Sequence, residues 1–132
     1  MIKILQVLDC LGTGGIQSFI MNIYRNIDKR QYKFDFLVTR RLENSLEKEA
    51  EELGANIYVV PPRSQGIRKN KQALKRFFSE HSDYDVIHEH ESSLSYVKPL
   101  IIGKQFGIQK RIFHSDGHPK APRPREPADV PF

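Results

Sequence analysis

The chain reads as an α/β protein, a parallel sheet with helices on both faces, and three observations carry that reading. Apolar runs of strand length alternate with segments whose apolar residues recur at helical spacing. The first strand and helix are joined by a glycine turn, Cys10-Leu-Gly-Thr-Gly-Gly15. The same alternation then repeats along the chain as βαβαβαβαβ, which right-handed crossovers wind into one parallel sheet.

Each element has its own justification. Ile2 to Leu8 is an apolar run suited to a buried strand, and Ile16, Phe19, Ile20, Ile23 and Ile27 fall on one face of a helix. Tyr32 to Thr39 alternates aromatic and polar residues before turning wholly apolar, a second strand. Leu42 to Leu53 carries Leu42, Leu46, Ala50 and Leu53 on one stripe, with Gly54 where a helix C-terminus wants it. Asn56 to Val60 is a third strand, stopped by Pro61 and Pro62. Ile67, Leu74, Phe77 and Phe78 mark a third helix over Gly66 to His81. Asp85 to His88 is a short fourth strand, followed by a turn from Glu89 to Ser93 and a helix from Leu94 to Phe106 that Gly107 closes. Lys110 to His114 is the fifth strand.

The 132 residues suit a single domain with a real core, and the apolar share of 39% fits a globular protein. No apolar run approaches membrane-spanning length, and the N-terminus lacks a secretory pattern, so the expected compartment is the cytoplasm. A lone cysteine, Cys10, agrees with a reducing compartment and reads as a small strand-end residue rather than a nucleophile. The formal charge is +5, with its densest patch at Arg63, Arg68, Lys69, Lys71, Lys75 and Arg76. A solvated helix face explains such a patch, and an anionic membrane surface is the competing partner; nucleic acid is not expected.

The glycine turn puts the backbone N–H groups of Gly14, Gly15 and Ile16 at a helix start, where unpaired donors and the macrodipole favour an anion. It departs from the dinucleotide fingerprint, which needs a glycine where Gln17 stands, and from a Walker A loop. A tight strand-to-helix turn is the competing explanation. The loops after the fourth and fifth strands share the same sheet edge, where ligands of parallel sheets bind. His88 and His90, in H-E-H-E, point the same way if the strand continues through them. The spacing offers no third ligand, so no metal is expected. His114 ends the fifth strand, where a structural hydrogen-bonding role and a functional one are evenly matched. A phospho-acceptor domain is disfavoured because the third strand ends in Val60-Pro61, without an aspartate. A dinucleotide oxidoreductase is disfavoured because the second ends in Val38-Thr39-Arg40, without an acidic residue for a ribose.

The opening IKILQVLDCLGTGGIQSFIMNIYRNI, the segment YDVIHEHES and the strand RIFHS resemble the N-terminal, acceptor-side domain of family 4 glycosyltransferases, retaining enzymes of the GT-B fold common in bacterial capsular and exopolysaccharide synthesis. The resemblance covers residues 1 to 115 and implies one Rossmann-like domain. It implies a nucleotide-diphosphate sugar as donor, a sugar or lipid-linked glycan as acceptor, no cofactor and no divalent metal. It places Gly14, Gly15, Ile16 and Gln17 at the donor diphosphate and acceptor, although many relatives carry Glu where Gln17 stands. It places His90 and Glu91 facing the cleft and His114 beside the reacting sugar as the catalytic residue. Imidazole can hydrogen-bond a sugar hydroxyl and titrates near enough to neutrality for proton exchange.

Two departures qualify the resemblance. Residues 116 to 132, DGHPKAPRPREPADVPF, hold five of the eight prolines with no helical or strand period, and read as a disordered tail. The donor-binding domain of such enzymes has no counterpart here, so the chain is expected to be inactive alone, as a truncated fragment that works with a donor-domain chain, peripherally at the inner face of the membrane. The alternative is a non-catalytic binding module for a phosphorylated or lipid-linked sugar. Apolar surface is expected to be exposed on the fifth strand and its neighbours.

Overall fold

A computed structural model of the chain describes residues 1–12, 14–42, 46–91 and 97–115, with the backbone alone at Glu91 and Ser115. Five strands, β1 (Ile2–Val7), β2 (Tyr32–Val38), β3 (Ile57–Val59), β4 (Val86–Glu91) and β5 (Lys110–Ser115), form one sheet in the order β3-β2-β1-β4-β5. Every pairing is parallel. The helices are α1 (Gly15–Asn26), α2 (Glu47–Glu52), α3 (Ile67–Glu80) and α4 (Lys98–Gln105), with a 3-10 turn over Arg63–Gln65. The expected Rossmann-like α/β class is therefore the observed one. The chain winds outward from β1 to β3 and returns on the other side of β1 to β4, so the order of strands reverses between β1 and β4.

Alternation along each strand sorts two cores. Phe34, Phe36 and Val38 pack with Ile20, Met21 and Tyr24 of α1 and Ala50 of α2 on one face. Leu5, Val7, Leu37 and Ile87 pack with Leu74 and Phe78 of α3 and Ile102 of α4 on the other. Tyr24 anchors the first core: its ring stacks on Phe34 with centroids 4.8 Å apart, and its hydroxyl donates to the Leu53 carbonyl at 3.1 Å.

The structure departs from the sequence reading in places with physical causes. The buried side of α1 is Ile20, Met21 and Tyr24, whereas Phe19 is 52% and Ile23 39% exposed. Ile112 of β5 is also exposed, at 44%. Phe19, Ile23 and Ile112 thus border an apolar hollow beside β4, which matches the exposed apolar surface expected there. Helix α2 starts late because the buried Glu47 carboxylate accepts from Arg41 Nε at 2.6 Å and from the Leu42 amide at 3.0 Å, holding Leu42 outside the helix. Strand β4 is longer than expected: pairing with β5 continues to Glu91↔Ser115, so Glu89 to Glu91 are strand rather than turn. The start expected for α4 at Leu94 and the tail from 116 to 132 lie outside the described residues.

Candidate functional site

The strand-to-helix turn after β1 is built without a side-chain cap. Gly14 is the extended residue before α1, and its carbonyl accepts from the Ser18 amide at 2.9 Å. Gln17 folds back, its Nε2 donating to the Cys10 carbonyl at 3.2 Å, which ties the turn to the first helical turn. A Cβ added at Gly14 would lie 2.6 Å from Gln17 Oε1, so glycine leaves room for that fold-back. At Gly15 a Cβ would meet nothing within 4 Å. The helix start is therefore open at Gly15, on the carboxyl edge of the sheet.

Between β1 and β4, where the strand order reverses, lies a cleft of about 350 Å³ lined by Val7, Leu8, Asp9, Thr39, Pro62, Arg63, Ser64, Glu89 and His90. Asp9 shapes one wall. Its carboxylate accepts from Thr39 Oγ1 at 2.6 Å and Arg40 Nε at 3.0 Å, and its carbonyl accepts from the amides of both residues. These contacts knit the ends of β1 and β2 together. The 3-10 turn brings Arg63 and Ser64 to the opposite side, and Glu89, 1% exposed, enters from β4.

Three imidazoles gather on β4 and β5. His88 and His90 share one face of β4, with ring centroids 4.0 Å apart, and register sets His114 of β5 directly beside His90. The rings of His88 and His114 lie parallel at 5.6 Å, and those of His90 and His114 are 5.4 Å apart. His90 is 4% exposed, and its Nε2 stands 2.7 Å from Gln6 Oε1 of β1. Because that oxygen only accepts, Nε2 carries the proton and Nδ1 is the bare nitrogen. Nδ1 has no hydrogen-bond partner among the described residues. Burial lowers the pKa of His90 to about 3, with the neighbouring imidazoles adding to the effect, and burial followed by His114 lowers that of His88 to about 4. Both rings are neutral at physiological pH.

The expected site residues are thus partly assembled. His90 lines both the cleft and the apolar hollow, and His114 lies beside it without lining either. Gly14, Gly15, Ile16 and Gln17 sit on the same sheet edge but do not line the cleft. The backbone of Glu91 pairs with Ser115, and its side chain is outside the description. Asp9, Thr39, Arg63, Ser64 and Glu89 escape sequence reasoning. The first two directly follow apolar strands, a signal that could have found them, whereas ending the fourth strand at His88 hid Glu89.

The fold and the cleft define an α/β protein with a ligand-sized opening at the switch point of a parallel sheet. Over 119 residues, 86% of this chain, it is 27% identical to a protein of Bacillus subtilis (strain 168) described as "Putative glycosyltransferase EpsF". That likeness supports a relationship to glycosyltransferases, and the chain spans 29% of the length of that relative. No protein-family profile matches the chain. Among solved structures, the C-terminal domain of the PF1911 hydrogenase from Pyrococcus furiosus is similar at a TM-score of 0.48 and 18% identity, over 85% of this chain and 89% of that one. This likeness is too distant to carry a functional argument. No helix among the described residues is long and apolar enough to cross a membrane.

Proposed function

We propose that the chain is the acceptor-side domain of a retaining, GT-B-type glycosyltransferase of family 4. In this reading it helps to move a sugar from a nucleotide-diphosphate sugar to a glycan or lipid-linked acceptor of a cell-surface polysaccharide. The observation that supports it best is the cleft at the carboxyl edge of the sheet, the edge on which the open helix start at Gly15 also lies. The likeness to EpsF adds the reaction class.

In the reaction the bond between the anomeric carbon and the diphosphate oxygen breaks and a bond to an acceptor hydroxyl forms, while negative charge collects on the departing diphosphate. The amides of Gly15 and Ile16 are suited to meet that charge, and the helix dipole adds to their effect. Neutral imidazoles suit hydroxyl recognition, and in this role His114 contacts the sugar. A donor domain supplies the remaining wall, and residues 1–132 without it lack transferase activity.

The test is an NMR titration of the chain with soluble acceptor analogues and nucleotide sugars, followed by turnover assays with and without an added donor domain. The reading expects amide shifts at Gly14 to Gln17, His90 and His114, with turnover only in the mixture. Turnover by this chain alone would refute the inactive-fragment part. Shifts confined to surfaces away from these residues would refute the site.

A further inference from the structure

We propose that His88, His90 and His114 form a binding site for one divalent transition-metal ion, with Zn2+ as the best chemical fit. The inference goes beyond the sugar-transfer reading and does not depend on it.

The argument starts from the ligand set. Each imidazole offers one nitrogen, and these three nitrogens already lie within 4.8 Å of one another. Zn–N bonds of about 2.0–2.1 Å require ligand nitrogens roughly 3.4 Å apart in a tetrahedron, so the widest gap must close by about 1.4 Å. His88 and His114 are only partly buried, so their side chains have more freedom to close on an ion than that of His90. Strand geometry supplies the arrangement: residues two apart share a face, and the neighbouring strand presents its histidine in register with His90.

A second, independent observation points to a ligand. His90 is almost wholly buried, yet its bare Nδ1 has no hydrogen-bond partner among the described residues. Gln6 holds the other nitrogen protonated, which fixes the tautomer and leaves Nδ1 as the donor atom. This is the outer-shell contact that metal-ligating histidines ordinarily have. Buried polar atoms without partners are uncommon and call for an explanation, and an ion between the three rings provides one. All-nitrogen ligation favours Zn2+, Cu2+ or Ni2+ over Ca2+ or Mg2+, which take oxygen ligands. Three protein ligands leave a fourth position for water or an anion, as in open rather than closed zinc sites.

Reading along the fourth strand alone counts two histidines and expects no metal. The fold adds the third, 24 positions beyond His90, by placing β5 next to β4.

The decisive experiment titrates the untagged chain of residues 1–132 with Zn2+ against a chromogenic chelator and records the visible spectrum with Co2+. We expect one equivalent bound and Co2+ bands of tetrahedral intensity. His88→Ala and His114→Ala each abolish the one-to-one uptake, and Gln6→Leu weakens it by about 10–100-fold. Circular dichroism verifies that each variant is folded; if His90→Ala is not, the His88 and His114 variants still decide. Absence of saturable uptake by the folded chain, weak octahedral Co2+ bands, or uptake unchanged in both of these variants would overturn the proposal.

Discussion

The hydroxyl of Tyr84 donates a 2.7 Å hydrogen bond to the Asp35 carboxylate, across 49 positions of sequence and inside the protein. Asp35 sits on β2 at 2% exposure, and its other oxygen accepts from the Asn56 amide at 2.9 Å and the Asn56 side chain at 3.3 Å. Lys33 Nζ approaches it at 3.5 Å. One carboxylate thereby joins β2, the approach to β3 and the approach to β4.

Removing the hydroxyl tests that junction. Tyr84→Phe keeps the ring in the core but leaves a buried carboxylate oxygen short of a donor, so a loss of about 1–3 kcal/mol is expected. Asp35→Ala should cost more, because it strands Tyr84 and Asn56 together. Urea unfolding of both variants measures this, and a loss below about 0.5 kcal/mol for Tyr84→Phe would show that the bond contributes little.

The same pair predicts alkaline behaviour. Burial, and then the hydrogen bond to Asp35, raise the Tyr84 pKa far above that of a free tyrosine. Above pH of about 10 the unfolded chain releases the phenolic proton while the folded chain keeps it. The folded state then binds more protons, so stability falls as pH rises. A pH series of melting temperatures should show a decline above pH of about 10 that is shallower in Tyr84→Phe.

Helix α4 lies against β4 through Gly103. A Cβ there would come within 2.2 Å of Ile87 Cδ1, with Phe78 close behind at 3.7 Å. Ile87 is fully buried, so its end group has little room to retreat. Gly103→Ala should therefore destabilise by about 1–3 kcal/mol despite the better helix propensity of alanine. Ile87→Val removes the clashing methyl and should restore much of the loss in the double variant, while costing about 0.5–1.5 kcal/mol alone. Additive effects in the double-mutant cycle would contradict the steric account.

Gly15→Ala separates folding from binding. No atom stands within 4 Å of the added methyl, so the melting temperature should hold or rise. If anions approach the backbone at this turn, the methyl obstructs them, and binding of a nucleotide-diphosphate sugar should weaken. Calorimetric titration of the folded variant checks this; unchanged affinity would move the anion site elsewhere.

The fold was legible because every strand except the third carries a clear run and every crossover a helical period. What stayed hidden depended on pairings between distant segments. Asp35 is the polar residue in an otherwise apolar end of β2, the sheet buries it, and its partner Tyr84 cannot be identified locally. The fourth strand appeared to stop at His88 because its last residues are polar, and only pairing with β5 extends it to Glu91. His88 and His90 share a face only because the strand runs on through both. That His114 joins them follows from strand order, which no local pattern reveals.

The strand order also bears on synthesis. Strand β1 is central, and its second neighbour, β4, can pair with it only after Val86 to Glu89 have been made, well after β2. At translation rates of 5–20 residues per second, the roughly 30 residues between the end of β3 and the end of β4 take on the order of 2–6 s to emerge. Throughout that interval the nascent chain presents one edge of β1 with unsatisfied backbone donors and acceptors, beside an apolar face awaiting α3. Chaperone occupancy on ribosome-bound chains should peak while this edge is open and fall once β4 leaves the exit tunnel.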